Sequence, residues 1–335
     1  MRAGRQRTES MAQRLAKKPV SEGFELWDKG YALGAMRLFI FKAENSPPFH
    51  LGPILDAMAH LLAEIGEAQD AKENFQFAAE KYDMIQQPVV AKLMTVKGTE
   101  AVEGPNAALP LLNDLIAHVD AGRQAPSLTD AKLRTAIARA YHYRAALLAE
   151  QGHVQDALND ATYAVQVGNG SWDRIHLAFF TLGEIQLQLG NEAGAVESLT
   201  ACLAACPHYL KGYEQLIPLV RADTQRSLNL LSRAIDVHPR AHFIRQKAFV
   251  LSDEGCDAEA LEMLDSYIAN PPHEEMEAFA LAGNSVPAFH KAKAAILADA
   301  GRKQDALAAA HAALALVPGD EEATKLIADI STLDG

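Results

Sequence analysis

The chain has 335 residues, of which 49% are hydrophobic, 22% charged and 7% aromatic. That balance describes a folded protein and excludes a disordered or collagen-like one, while three cysteines exclude a disulfide scaffold and suit a reducing compartment. Sixty-one alanines point to closely packed helices, and a net charge of −12 makes nucleic acid or an anionic membrane a poor partner.

Charge is uneven along the chain. Residues 1–19 carry Arg2, Arg5, Arg7, Arg14, Lys17 and Lys18 against the single acid Glu9. This arm reads as a flexible basic terminus. Its Arg-rich, acid-poor character with Thr8 and Ser10 also fits a mitochondrial presequence. The expected compartment is the cytoplasm, with the mitochondrion as the alternative. No apolar run approaches the roughly 18–20 residues of a membrane span, so none is expected.

From residue 20 onward one pattern recurs. Gly30 is followed by Ala35, Phe39, Lys42 and Pro47; Gly66 by Ala71, Phe75 and Ala78; Gly152 by Ala157, Ala161 and Ala164. Gly190 brings Ala195, Leu199, Cys202 and Pro207; Gly255 brings Ala260, Leu264, Tyr267 and Pro272; Gly301 brings Ala306, Ala310, Ala313 and Pro318. The glycine ends one helix in a permissive conformation. The residues that follow recur on one face of a second helix, where alanine lets two backbones approach. Proline closes the unit. Two further units are degenerate: residues 90–122, where Pro110 is expected to kink or restart the second helix, and residues 208–239, where Ala222 replaces the turn glycine.

Upstream of Gly190 the partner helix carries Phe179, Leu182, Gly183 and Gln186. Together with Gly190, Ala195 and Pro207 this resembles the tetratricopeptide repeat, a helix-turn-helix unit of 34 residues. The resemblance covers roughly residues 16–318 in about eight units. It implies an all-α, right-handed superhelical solenoid with a C-terminal capping helix. The layout expected is a basic arm at 1–19, repeats one to three at 20–122, a connecting insertion at 123–137, repeats four to eight at 138–318 with an insertion near 273–286, and a capping helix and tail at 319–335, opened by Asp320.

The resemblance further implies that the first helix of each pair lines a concave groove. The outward positions there are Arg139 and His142, then Phe180 and Glu184, then His242, Arg245 and Phe249, and finally Lys291. Cations mixed with exposed aromatics suit an extended or helical peptide. The expected function is a non-enzymatic scaffold or assembly subunit for a protein or peptide partner. A chaperone adaptor is one alternative, although the Lys–Asn spacing of repeats that clamp chaperone tails is missing: Ala295, Phe249 and Ala146 stand where Asn is needed.

Chemistry-bearing motifs are weak. His273-Glu-Glu-Met-Glu lacks the second histidine of a zinc helix. Gly168-Asn-Gly is not a dinucleotide fingerprint. No catalytic residue, cofactor or metal is expected. Cys202 and Cys206 lie one helical turn apart, so a metal- or redox-active regulator is the rival reading, but Cys202 falls at a core place of its ladder.

Overall fold

The computed structural model describes residue 15 and residues 18–122, 131–271 and 285–332; among these lie seventeen α-helices and no strand. Most of the basic arm, residues 272–284 with Pro272 and nearly all of the expected insertion and its His273 motif, and the last three residues of the tail fall outside the described residues. The chain divides into two compact units, Met1–Gly212 and Tyr213–Gly335.

The first unit holds α1 (Val20–Asp28), α2 (Ala32–Asn45), α3 (Leu51–Glu64), α4 (Ala68–Met84), α5 (Pro88–Glu103) and α6 (Pro105–Gly122). It continues with α7 (Ala131–Glu150), α8 (Val154–Gly168), α9 (His176–Gln188) and α10 (Glu192–Ala205). The division falls inside α11 (Leu210–Leu219). The second unit then carries α12 (Thr224–Val237), α13 (Ala241–Asp253), α14 (Asp257–Ala269), α15 (Ser285–Asp299), α16 (Lys303–Leu316) and α17 (Glu321–Thr332).

The glycine ladders fold as helix pairs. Gly30, Gly66, Gly152, Gly190, Gly255 and Gly301 all have φ between 72° and 86°. At Gly190 the turn closes with its N–H donating to the Leu187 carbonyl at 2.9 Å and the Asn191 N–H donating to the Gln186 carbonyl at 2.8 Å. These bonds satisfy carbonyls left over at the helix end. A Cβ on Gly190 would meet nothing within 4 Å, so backbone conformation alone demands glycine there. Gly104 has the same positive φ and closes the degenerate third pair.

The second-helix alanines Ala35, Ala71, Ala157, Ala195, Ala260 and Ala306 are fully buried. Their first-helix counterpart is visible at Gly183, where an added Cβ would lie 2.9 Å from Leu199 Cγ and 3.6 Å from the Ala195 carbonyl oxygen. Glycine on α9 and alanine on α10 thus meet where the pair is tightest. Helices end two residues before Pro47, Pro207, Pro239 and Pro318, and the residue between has φ between −138° and −109°, because proline pushes its predecessor out of the helical region.

Two expectations need correction. Pro110 sits inside one continuous helix, α6, and does not restart it. The connection expected at 123–137 is shorter, since α7 already begins at Ala131. At the other end, Asp320 caps α17 by accepting from the Ala323 N–H at 3.0 Å, with Glu321 and Glu322 in the first turn. Leu326, Ile327 and the buried Ile330 then pack on Leu297, Ala306 and Ala310.

Two outcomes follow from this packing. Ala195→Leu should cost about 1–3 kcal/mol by forcing methylenes into the α9–α10 contact, read as a lower denaturation midpoint. Deleting residues 319–335 should bare the apolar side of α15 and α16 and produce concentration-dependent association in sedimentation, with the helicity of the remaining chain retained.

Candidate functional site

The residues that the repeat pattern pointed outward fall into two groups, one in each unit. In the first unit they are mostly committed to the interior. Phe180, expected as an exposed aromatic, is buried with its ring 5.3 Å from that of Tyr209. Arg139 donates to Asp56 Oδ2 at 2.5 Å, with 17% and 13% of the two side chains exposed. His142 packs against Trp172 and lies 3.0 Å from Thr181 Oγ1. Glu184 is half-buried, and burial raises its carboxyl pKa against the opposing pull of Lys211.

Asp56 organises this face. Burial alone would raise its pKa; the Arg139 guanidinium, with His60 and Lys97, overcomes that and holds the carboxyl far below the usual range. Lys97 Nζ lies 2.6 Å from His60 Nε2, and His60 Nδ1 lies 2.7 Å from the Asp56 carbonyl oxygen. Lys97 therefore donates to a neutral imidazole whose other nitrogen donates to Asp56. Burial pushes Lys97 down to about 8 and His142 down to about 3, the latter helped by the Lys97 and Arg139 charges. Tyr143 donates its hydroxyl to Glu100 on α5. The arrangement is one ion pair and a set of hydrogen bonds between non-consecutive helices.

A second hub was not singled out by the sequence reading. Asp28, at the end of α1, is buried and accepts from Arg174 at 2.5 Å, with His176, His208 and Cys206 around it. The Arg174 guanidinium also stacks over Trp27 and Phe24, at 4.7 and 5.1 Å. One signal for it was available: an acid at a helix C-terminus opposes the helix dipole and needs a partner from elsewhere.

In the second unit three of the four expected residues share one cavity. Arg245, Phe249, Lys291 and Ala295 line one groove of about 310 Å³ together with Ala288, Leu326 and Glu322. Phe249 is 40% exposed there. Arg245 stacks on Phe289 at 6.0 Å, and its Nε makes no hydrogen bond among the described residues. Lys291, expected as a cation awaiting a ligand, is instead paired with Asp320 at 2.9 Å and with Glu322, both brought by α17. His242 lines a neighbouring cleft of about 380 Å³ with Glu214, Ile217 and Gln246; burial lowers its pKa to about 4, helped by Arg240 and Arg245.

The repeated glycine turn, buried alanine and proline stop decide the architecture. The described residues form an all-helical array of repeated helix pairs that resembles the tetratricopeptide repeat. No protein-family model and no curated protein matches the chain. Among solved structures it is similar to the APC/C hetero-tetramer Cut9–Hcn1, with 16% identity over 96% of this chain and a TM-score of 0.45; it spans 57% of that chain's length. It is also similar to PilF of Pseudomonas aeruginosa, with 14% identity, 83% of this chain, 97% of that one and a TM-score of 0.41. A third is a thermophilic repeat protein of Thermus thermophilus, with 22% identity, 58% of this chain, 100% of that one and a TM-score of 0.35.

Arg139→Met should destabilise the folded chain by about 3–5 kcal/mol at pH 7, because it leaves Asp56 buried without its guanidinium partner. The sign of the pH dependence is diagnostic. In the parent chain the depressed Asp56 pKa adds stability above about pH 4 that fades on acidification. In the variant Asp56 gains by protonating, so the deficit should shrink below about pH 4, as measured by denaturant titration at both pH values.

Proposed function

We propose that this chain is a non-catalytic protein-binding scaffold and that the second unit's groove holds a peptide segment of its partner. The observation that carries this reading is the pairing of an exposed Phe249 with Arg245 in one groove walled by Ala288, Ala295 and Leu326. An apolar floor with a guanidinium edge suits a ligand offering one apolar side chain and one carboxylate. Catalysis is not favoured, because the first unit's buried Asp56, Lys97 and Arg139 are absorbed by an ion pair and a hydrogen bond that tie helices together. The acidic body favours protein over nucleic acid as partner. No helix among the described residues is long and apolar enough to cross a membrane; a cytoplasmic setting is the companion proposal. A chaperone adaptor is the weaker reading, since Lys291 is already satisfied by α17.

Affinity capture from the source cells, quantified by mass spectrometry, tests the groove. Phe249→Ala combined with Arg245→Ala should reduce recovery of the captured partner at least about tenfold, the scale of a hot-spot truncation, with helicity unchanged. Undiminished recovery by the folded double variant would place binding elsewhere.

A further inference from the structure

The Asp28 hub has a property that the ion pairs around Asp56 lack. Three side chains with different donor atoms, the Asp28 carboxylate, the His176 imidazole and the Cys206 thiol, are all buried and bring one ligand atom each to within 4.8 Å of the others. Cys206 Sγ lies 3.8 Å from Asp28 Oδ2, and His176 Nε2 lies 3.6 Å from Asp28 Oδ1. His176 is 3% exposed, and among the described residues its Nε2 has no partner nearer than Asp28 at 3.6 Å, longer than a normal hydrogen bond. His208 Nε2 stands 4.0 Å from Asp28 Oδ2 on the more accessible side, with 32% of its side chain exposed.

The 3.6 and 3.8 Å separations reach different oxygens of Asp28, and one ligand atom from each of the three residues lies within 4.8 Å of the others, so an ion at their centre would draw them together. Metal–nitrogen and metal–oxygen bonds of about 2.0–2.2 Å and a metal–sulfur bond of about 2.3 Å set ligand atoms roughly 3.3–3.7 Å apart at tetrahedral angles. A hydrogen bond between oxygen and nitrogen would bring them to about 2.9 Å. Arg174 occupies Asp28 Oδ1 and opposes a cation, but Oδ2 faces Cys206 and His208, away from that bond.

We propose that Asp28, His176 and Cys206 form a binding site for a zinc-like divalent transition ion, with His208 or water as the fourth ligand. The mixed nitrogen, sulfur and oxygen set selects such an ion over calcium or magnesium. On binding, the Cys206 S–H bond breaks, its proton passes to solvent, and the thiolate sulfur bonds the ion. The ion joins the end of α1 to the start of α9 and the end of α10, fastening the first helix of the unit to residues nearly 180 positions away. Cys202, one turn earlier and fully buried, stays in the core and takes no part.

Cobalt(II) titration of the reduced full-length chain tests this directly. The expected result is one equivalent bound, with thiolate-to-cobalt charge-transfer absorption and the intense visible bands of tetrahedral cobalt. Zinc should displace the cobalt and raise the melting temperature. Cys206→Ser should remove the charge-transfer absorption and weaken binding at least about tenfold, whereas Cys202→Ser should retain both. No stoichiometric binding by the parent chain, or binding without charge transfer, overturns the proposal whatever the variants do. So does absorption that survives Cys206→Ser or disappears only in Cys202→Ser. Asp28→Asn, which preserves side-chain shape, gives a second loss-of-binding variant should Cys206→Ser misfold. Because the site lies in the first unit, its failure would leave the groove proposal untouched.

Discussion

Everything in this chain depends on how closely two helices of a pair can approach. Gly183 and Ala195 meet where a single extra carbon on Gly183 would fall 2.9 Å from Leu199, inside any normal van der Waals contact. Close approach compensates for small side chains: alanine buries little apolar surface, but the backbones and the larger residues around it gain dense contact. Leu199 and Phe75, each fully or nearly fully buried, take that compensating role in their pairs. An alanine-rich chain can build a stable interior in this way, provided each pair stays tight.

Pairs alone make a stack with only neighbouring contacts, in which each repeat answers to the next. The first unit adds something to that scheme. Arg139 on α7 reaches Asp56 on α3, Tyr143 on α7 reaches Glu100 on α5, and Arg174 reaches Asp28 on α1. Such buried charges contribute little net energy over apolar residues of the same shape, but each penalises any arrangement that leaves it unpaired. They act on the choice among packings more than on stability. Removing one partner therefore damages the fold, whereas replacing both together need not.

The parts legible in the sequence and the parts that were not differ in range. The Gly190–Ala195–Pro207 ladder encodes contacts within some twenty residues, where helical periodicity and turn chemistry act, and it emerged intact. The capping role of Asp320 was legible for the same reason. Arg139 and Phe180 were misplaced because the repeat pattern assigns a face and cannot say what covers it. Asp56, 83 residues from Arg139, and Asp28, 146 residues from Arg174, turn that face into an interior. In the second unit Arg245, Phe249 and Lys291 lie on neighbouring first helices and line one cavity, as a repeat pattern that assigns one face to each helix would place them. Only the acids brought by α17 were unforeseen there.

Those acids have an effect on how the groove responds to its surroundings. Lys291 already sits between Asp320 and Glu322, so an incoming carboxylate reaches it by exchanging one anion for another. The number of ion pairs at Lys291 is the same before and after. Mobile ions in the solvent screen both states alike, and no net electrostatic attraction at that side chain is available to be weakened. A ligand captured through Lys291 would hold almost as well in concentrated salt as in dilute buffer, and its selection would rest on shape and apolar fit at Phe249.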